Sequence, residues 1–276
     1  SRENLPNAIA LNSLMMNGSR LVGPALAGVV LAAAGEAWCF LLNAASYLAM
    51  LAALAAMRLT AASAPQSKQD WLAGLREALQ FAWGFTPSRY LIGLVAFVSF
   101  VATPYASLMP VFARDLLGGD ASTLGLLVGA SGAGAMAGVL YLAGRRGAAG
   151  LERLIAAAGF SAGIGLVLFS QSATLWLSLA LLPLVGFGII AIAASANTIL
   201  QLVAPDAMRG RLVSLHIAAF LGVMPVGSLV FGLLAERFGA AATVAAGGTL
   251  CLVGALWFAT RVRIMRDLLA PHYAQR

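Results

Sequence analysis

The chain has 276 residues, of which 61% are hydrophobic and 10% charged, and its formal net charge is +7. A soluble domain carries about 25% charged residues, so this one could not cover a water-facing surface, and lipid is the solvent its composition suits. The basic balance does not mark a nucleic-acid binder, because the Lys and Arg residues sit in short gaps between apolar runs, where they set topology.

In lipid the backbone must satisfy its own polar groups, which leaves helices or closed barrels. The apolar runs are continuous, about 20 residues or longer, and without strand-like alternation, so helices are predicted. The spans fall at 7–34, 37–58, 87–114, 121–144, 151–170, 174–203, 209–235 and 240–261. In the first, Ser13, Asn17, Arg20 and Pro24 recur at helical steps on one face. Arg20 lies about 21 Å from either end of its span at ~1.5 Å per residue, near mid-membrane. A charge there costs at least ~2.5 kcal/mol on insertion scales, so it faces either a wet cavity or a polar partner. Lining a substrate path and clamping two helices together are equally open readings of this stripe.

Cys39 in the second span and Cys251 in the eighth have no metal-ligand spacing and read as packing residues. Residues 59–86 form the one long break. Within it Trp71, Leu72, Leu75, Leu79, Ala82 and Trp83 share helical spacing, which predicts an amphipathic helix, either on the membrane surface or as a soluble linker. Tyr105 and Ser107 lie between Pro104 and Pro110, where a proline-broken helix could gate a path or could simply kink. Gly125-x-x-x-Gly129, Gly134-x-x-x-Gly138 and Gly159-x-x-x-Gly163 favour tight crossings and need no ligand. Asn197 and Gln201 put two amides on one face of the sixth span, for substrate contact or, more simply, an interhelical hydrogen bond. His216, a turn inside the seventh span, is a candidate for proton exchange or for a bond to a neighbour. All 10 acidic residues lie at span ends or in loops, so a buried carboxylate for proton coupling would have to lie on other helices. No nucleotide-binding loop and no cofactor or metal motif stands in the sequence.

With both chain ends placed on one side, only Arg114 and Arg237 of the 17 Lys and Arg fall on the other, and Arg20 lies within a span. That imbalance predicts that both chain ends are cytoplasmic. A repeat is also visible: Gly18, Gly23, Gly28 and Gly35 align at one constant offset with Gly222, Gly227, Gly232 and Gly239. The offset spans six helices, and a parallel six-helix repeat is the arrangement of the two halves of major facilitator transporters.

Local motifs carry a resemblance to the same superfamily. Arg2-Glu3-Asn4-Leu5-Pro6-Asn7-Ala8, the stretch Arg20–Gly28, Cys39-Phe40-Leu41-Leu42-Asn43-Ala44 and Pro205–Leu212 resemble the enterobactin exporter and transmembrane secretion effector group. The fifth-helix pattern of drug–proton antiporters, G-x-x-x-G-P-x-x-G-G, stands here as Ser19, Gly23, Pro24, Ala27 and Gly28, with two glycines replaced by small residues. The superfamily's loop signature remains only as Gly144-Arg145-Arg146-Gly147, without its aspartate.

The resemblance implies an all-α bundle comprising helices 5–12 of 12, with four further helices upstream. Residues 1–58 would close the first half, 59–86 link the halves, 87–263 form the second, and 264–276 make a cytoplasmic tail. It implies efflux of a small amphipathic molecule, siderophore-like or drug-like, by alternating access with proton antiport. Ser13, Asn17, Arg20, Tyr105, Asn197 and Gln201 would line the path, His216 would exchange protons, and small-molecule substrate and lipid would be the partners.

Two other classes compete. A non-transporting membrane sensor or subunit would bind a ligand without flux. An intramembrane serine protease would use Ser131, within Gly129-Ala130-Ser131-Gly132, and His216. That tetrapeptide is a weak match, and Ala219 stands where the histidine's glycine frame is needed.

Overall fold

The computed structural model describes residues 36–56, 71–145, 147–205 and 208–273, together with Val30. Ser13, Asn17, Ser19, Arg20, Gly23, Pro24, Ala27 and Gly28 therefore lie outside the described residues, as do the glycine partners Gly18 and Gly35.

All regular structure among the described residues is helical, in ten elements: α1 Glu36–Ala56, α2 Trp71–Gly84, α3 Thr86–Val101, α4 Tyr105–Val111, α5 Ala121–Ala143, α6 Leu151–Ser170, α7 Leu175–Val203, α8 Arg209–Ile217, α9 Met224–Phe238 and α10 Ala240–Tyr273. Wider π-type turns extend α4 through Phe112–Leu116 and α8 through Ala218–Gly222, so each pair α3–α4 and α8–α9 makes one long, interrupted span. Seven stretches among the described residues are long and apolar enough to cross a bilayer. They match the second to eighth predicted spans, while the first, 7–34, lies outside the described residues except for Val30, and the fold is an all-α membrane bundle.

Local chemistry sets several ends. Pro87 in the first turn of α3 costs no intrahelical bond, since its missing N–H would have been an orphan there. Asp120 and Thr123 form a capping box at the start of α5, the Asp120 carboxylate accepting from Thr123 N–H at 3.1 Å. That backbone bond, with the Ser122 hydroxyl at 2.8 Å, holds the Asp120 carboxyl below its ordinary range. The turn between α9 and α10 is made at Gly239, whose φ of +85° only glycine adopts freely.

Small residues decide the packing, as their spacing predicts. α5 and α7 run parallel in close contact, because Gly134 meets Pro183, Gly138 meets Phe187 and Gly186 meets the Ser131 carbonyl. A Cβ at Gly134 or Gly186 would collide with backbone. α6 lies antiparallel to α7 through Gly188 and to α10 through Gly159 and Gly163. α3 in turn crosses α10, where Gly247 meets the Val101 carbonyl and Gly254 meets the Phe97 ring. Without a hydrophobic force between helices in lipid, such close backbone approach is what holds a bundle together. The core between them is mainly aliphatic, and within it Phe112 stacks on Phe169 at 4.6 Å.

Three details depart from expectation. The last helix does not stop near 261 but continues to Tyr273, because Met265 and Leu269 stand one turn apart and are buried. Glu152, at the first turn of α6, is buried rather than exposed at a span end. Of the repeated glycines among the described residues, only Gly227 makes a close approach, against Phe100 and Pro104, while Gly222, Gly232 and Gly239 meet nothing within 4 Å.

The amphipathic helix forms as α2, and it has two apolar faces. Ala78 and Ala82 are buried, which lets the helix lie close against the bundle, while Leu79 and Trp83 stay exposed. An ion pair from Glu77 to Arg211 fastens α2 to the start of α8.

Candidate functional site

The interruption in the first span of the six-helix body lies at Ala102-Thr103-Pro104, between α3 and α4. Pro104 has no N–H to donate to the preceding turn, so the ladder fails there. Thr103 turns its hydroxyl back onto the Ser99 carbonyl and takes up one of the freed acceptors. The second interruption, Ala218–Gly222, is paired with the first in space. Ser99 donates its hydroxyl to the Phe220 carbonyl, across the two helices and inside the π-type turn. Immediately beyond it Gly227 packs on Phe100 and Pro104, and Phe100 meets the Phe231 ring edge-on at 6.2 Å.

Two broken helices thus cross where each is weakest, joined through a hydroxyl and a glycine. The short α4 that follows is held from both sides. Tyr105 and Ser131 of α5 share a hydrogen bond at 2.5 Å, and on the other side Ser107 donates to Ser228 of α9 at 3.1 Å. Tyr105 is therefore buried, with its hydroxyl spent on a neighbouring helix.

The other expected site residues of the six-helix body lie on α7 and α8. Asn197 on α7 is half-buried, and its Oδ1 has no partner among the described residues; the same holds for Ser195 Oγ, which is fully buried. Gln201 is half-buried, and its backbone carbonyl accepts from Arg209 Nε at 3.2 Å, tying α7 to α8. His216, one turn before the π-type segment, is buried with Nδ1 unpartnered among the described residues. Ser131 is bonded to Tyr105, so the serine–histidine hydrogen bond that a protease needs is not formed. Arg145 donates locally, to the Ala149 carbonyl at 2.6 Å and the Tyr141 hydroxyl at 3.3 Å, while its buried Nε has no partner among the described residues. Cys251 is buried and its thiol points at the Gly159 carbonyl, as a packing residue would.

Sequence reasoning missed Ser99, Phe220 and Ser228. Ser99 and Thr103 did carry a signal, two hydroxyls one turn apart just before a proline in an apolar run. Nothing in the sequence marks Phe220, because its role is played by a carbonyl. No group of His, Cys, Asp and Glu among the described residues could hold a metal ion.

On the opposite rim from Arg209, a cavity of about 290 Å³ opens between α4 and α5, lined by Pro110, Ala113, Arg114, Gly119, Asp120 and Leu124. It is largely apolar with one charge of each sign.

Interrupted spans paired inside a glycine-packed helical bundle define a polytopic membrane protein of the transporter type. The chain belongs to the transmembrane secretion effector family of major facilitator transporters, whose family model matches residues 1–272. It is also 28% identical over 247 residues to the multidrug efflux pump Tap of Mycolicibacterium fortuitum. That match covers 87% of this chain and 59% of the pump, so the chain spans about three-fifths of its relative's length.

Proposed function

We propose that the full protein exports a small amphipathic molecule across the bacterial plasma membrane by alternating access, coupled to proton entry. The paired interruptions at Ala102–Pro104 and Ala218–Gly222 carry this reading. A continuous helix resists bending, whereas two helices broken at one level and bonded there can change angle together. The printed name of the Mycolicibacterium relative supports efflux as the direction and a drug-like molecule as the cargo.

In this reading Ser13, Asn17 and Arg20 contribute to the substrate path. Asn197 offers an unspent carbonyl to the same path, and Tyr105 positions α4 as a gate. His216 is the titratable group in the six-helix body that takes up and releases the coupling proton. The arginine-rich end of the bundle is cytoplasmic.

The test is extrusion of ethidium from liposomes containing the full-length protein, with a proton gradient acid on the side opposite the arginine-rich loops. Dye should leave against its own gradient, and an uncoupler should stop it. His216→Gln should remove the response to the proton gradient while leaving dye binding in place. Binding of dye without gradient-driven flux would instead favour the sensor or subunit reading.

A further inference from the structure

At the arginine-rich end, the crossing of α3 and α10 brings two cations to one aromatic ring. The Arg89 guanidinium lies 5.5 Å and that of Arg261 6.0 Å from the centre of the Tyr90 ring. Trp257 meets the same ring edge-on at 5.4 Å. A ring face attracts each guanidinium but satisfies none of its five N–H donors. Neither arginine has a carboxylate partner among the described residues; Glu77 pairs with Arg211 and Asp267 with Arg266. Arg261 Nε is buried and unpartnered. Two like charges gathered at one ring, with donors unspent, need an anion to complete them.

Below these cations, toward the membrane centre, the crossing is apolar and open. Gly93 lies one turn past Tyr90, is exposed, and a Cβ there would meet nothing within 4 Å. Phe97 is 36%, Trp257 42% and Val253 57% exposed along the same crossing. From Arg89 to Phe97 on α3, and from Arg261 to Val253 on α10, the surface runs about 12 Å at ~1.5 Å per residue. Half of the ~30 Å hydrocarbon core is one leaflet of about 15 Å, so the surface runs most of a leaflet's depth.

We propose that this crossing is a binding site for an anionic phospholipid, its phosphate between Arg89 and Arg261 and an acyl chain along Gly93, Phe97, Trp257 and Val253. Cationic donors at headgroup level above an apolar groove match that molecule from end to end. Efflux is not a premise of the site, which needs only that the protein lie in a membrane.

The probe is phosphatidylglycerol brominated on its acyl chains, compared with brominated phosphatidylcholine, in liposomes of the full-length protein. The readout is quenching of Trp257 fluorescence, isolated by subtracting a Trp257→Phe variant. The phosphatidylglycerol should quench at a mole fraction at least threefold lower. Arg89→Gln with Arg261→Gln should bring the two lipids level, whereas Arg263→Gln, at an exposed arginine away from the ring, should keep the preference. Gly93→Leu should weaken quenching by filling the groove. Equal quenching by the two lipids in the unmodified protein overturns the proposal and requires no variant to fold. So does loss of preference in Arg263→Gln as large as in the double variant, which would show surface charge alone. Displacement by millimolar inorganic phosphate would overturn it in favour of a free-phosphate site.

Discussion

Tyr105 shows how one side chain can settle between two roles that its sequence leaves open. A tyrosine beside a proline in a membrane span could contact a substrate, but here its hydroxyl is paired with Ser131 and the ring is buried. A buried neutral hydrogen bond contributes about 0.5–1.5 kcal/mol net. Tyr105→Phe should therefore lower thermal stability in detergent by about 1 kcal/mol. Ser131→Ala should cost a similar amount, and the double variant no more than the worse single one, because the two remove the same bond. Transport should survive Ser131→Ala. A loss of function in Ser131→Ala that Tyr105→Phe does not share would return the serine to a chemical role. The sequence displayed both residues; it could not show that residues 26 positions apart on different helices meet.

Among the elements, α2 and the interrupted spans separate what pattern reveals from what only packing reveals. The break after Val101 was legible because Pro104 removes a donor whatever surrounds it. The π-type turn at Ala218–Gly222 had only Pro225 to mark it, whose missing N–H leaves the Leu221 carbonyl without its helical donor, and the Ser99 hydroxyl that meets the turn comes from another helix. α2 was legible as amphipathic, yet its contact face is the pair Ala78 and Ala82, and its larger Leu79 and Trp83 point away. Small residues that permit close approach look weakly hydrophobic in a pattern. The Glu77–Arg211 pair that completes this contact is partly exposed, so it is worth less than about 1 kcal/mol to stability. Its effect should appear in placement instead. Glu77→Arg should leave the melting temperature nearly unchanged but make α2 more readily cut by protease in membranes. Glu77→Arg combined with Arg211→Glu should restore protection.

For the whole molecule, fold class was carried by the most redundant signal, long apolar runs, which survives errors at any single position, and the one-sided arginines predict an orientation in the same redundant way. The extension of α10 was harder to see, because its last turns carry Arg263, Arg266 and Asp267 and stay helical only through Met265 and Leu269. The same arginines that read as topology markers include the pair at Tyr90, whose convergence depends on two helices far apart in sequence. The predicted orientation has a direct check. A reporter active only in the cytoplasm, fused after Tyr273, should be active, and the same reporter inserted at Gly118-Gly119 should be silent. The reverse pattern would place the arginine-rich loops outside and remove the basis for the proposed proton direction.

α10 has 34 residues, about 51 Å at ~1.5 Å per residue, against a hydrocarbon core of ~30 Å. Its final turns outrun that core, yet they stay packed on the bundle through Met265 and Leu269, continuous with the helix that α6 and α3 grip. Helix and bundle would therefore turn as one body, and the far end of a tilted rod travels through the widest arc. Under the proposed alternating access, a spin label at exposed Leu268 would report the tilt of this body from a position far along the helix.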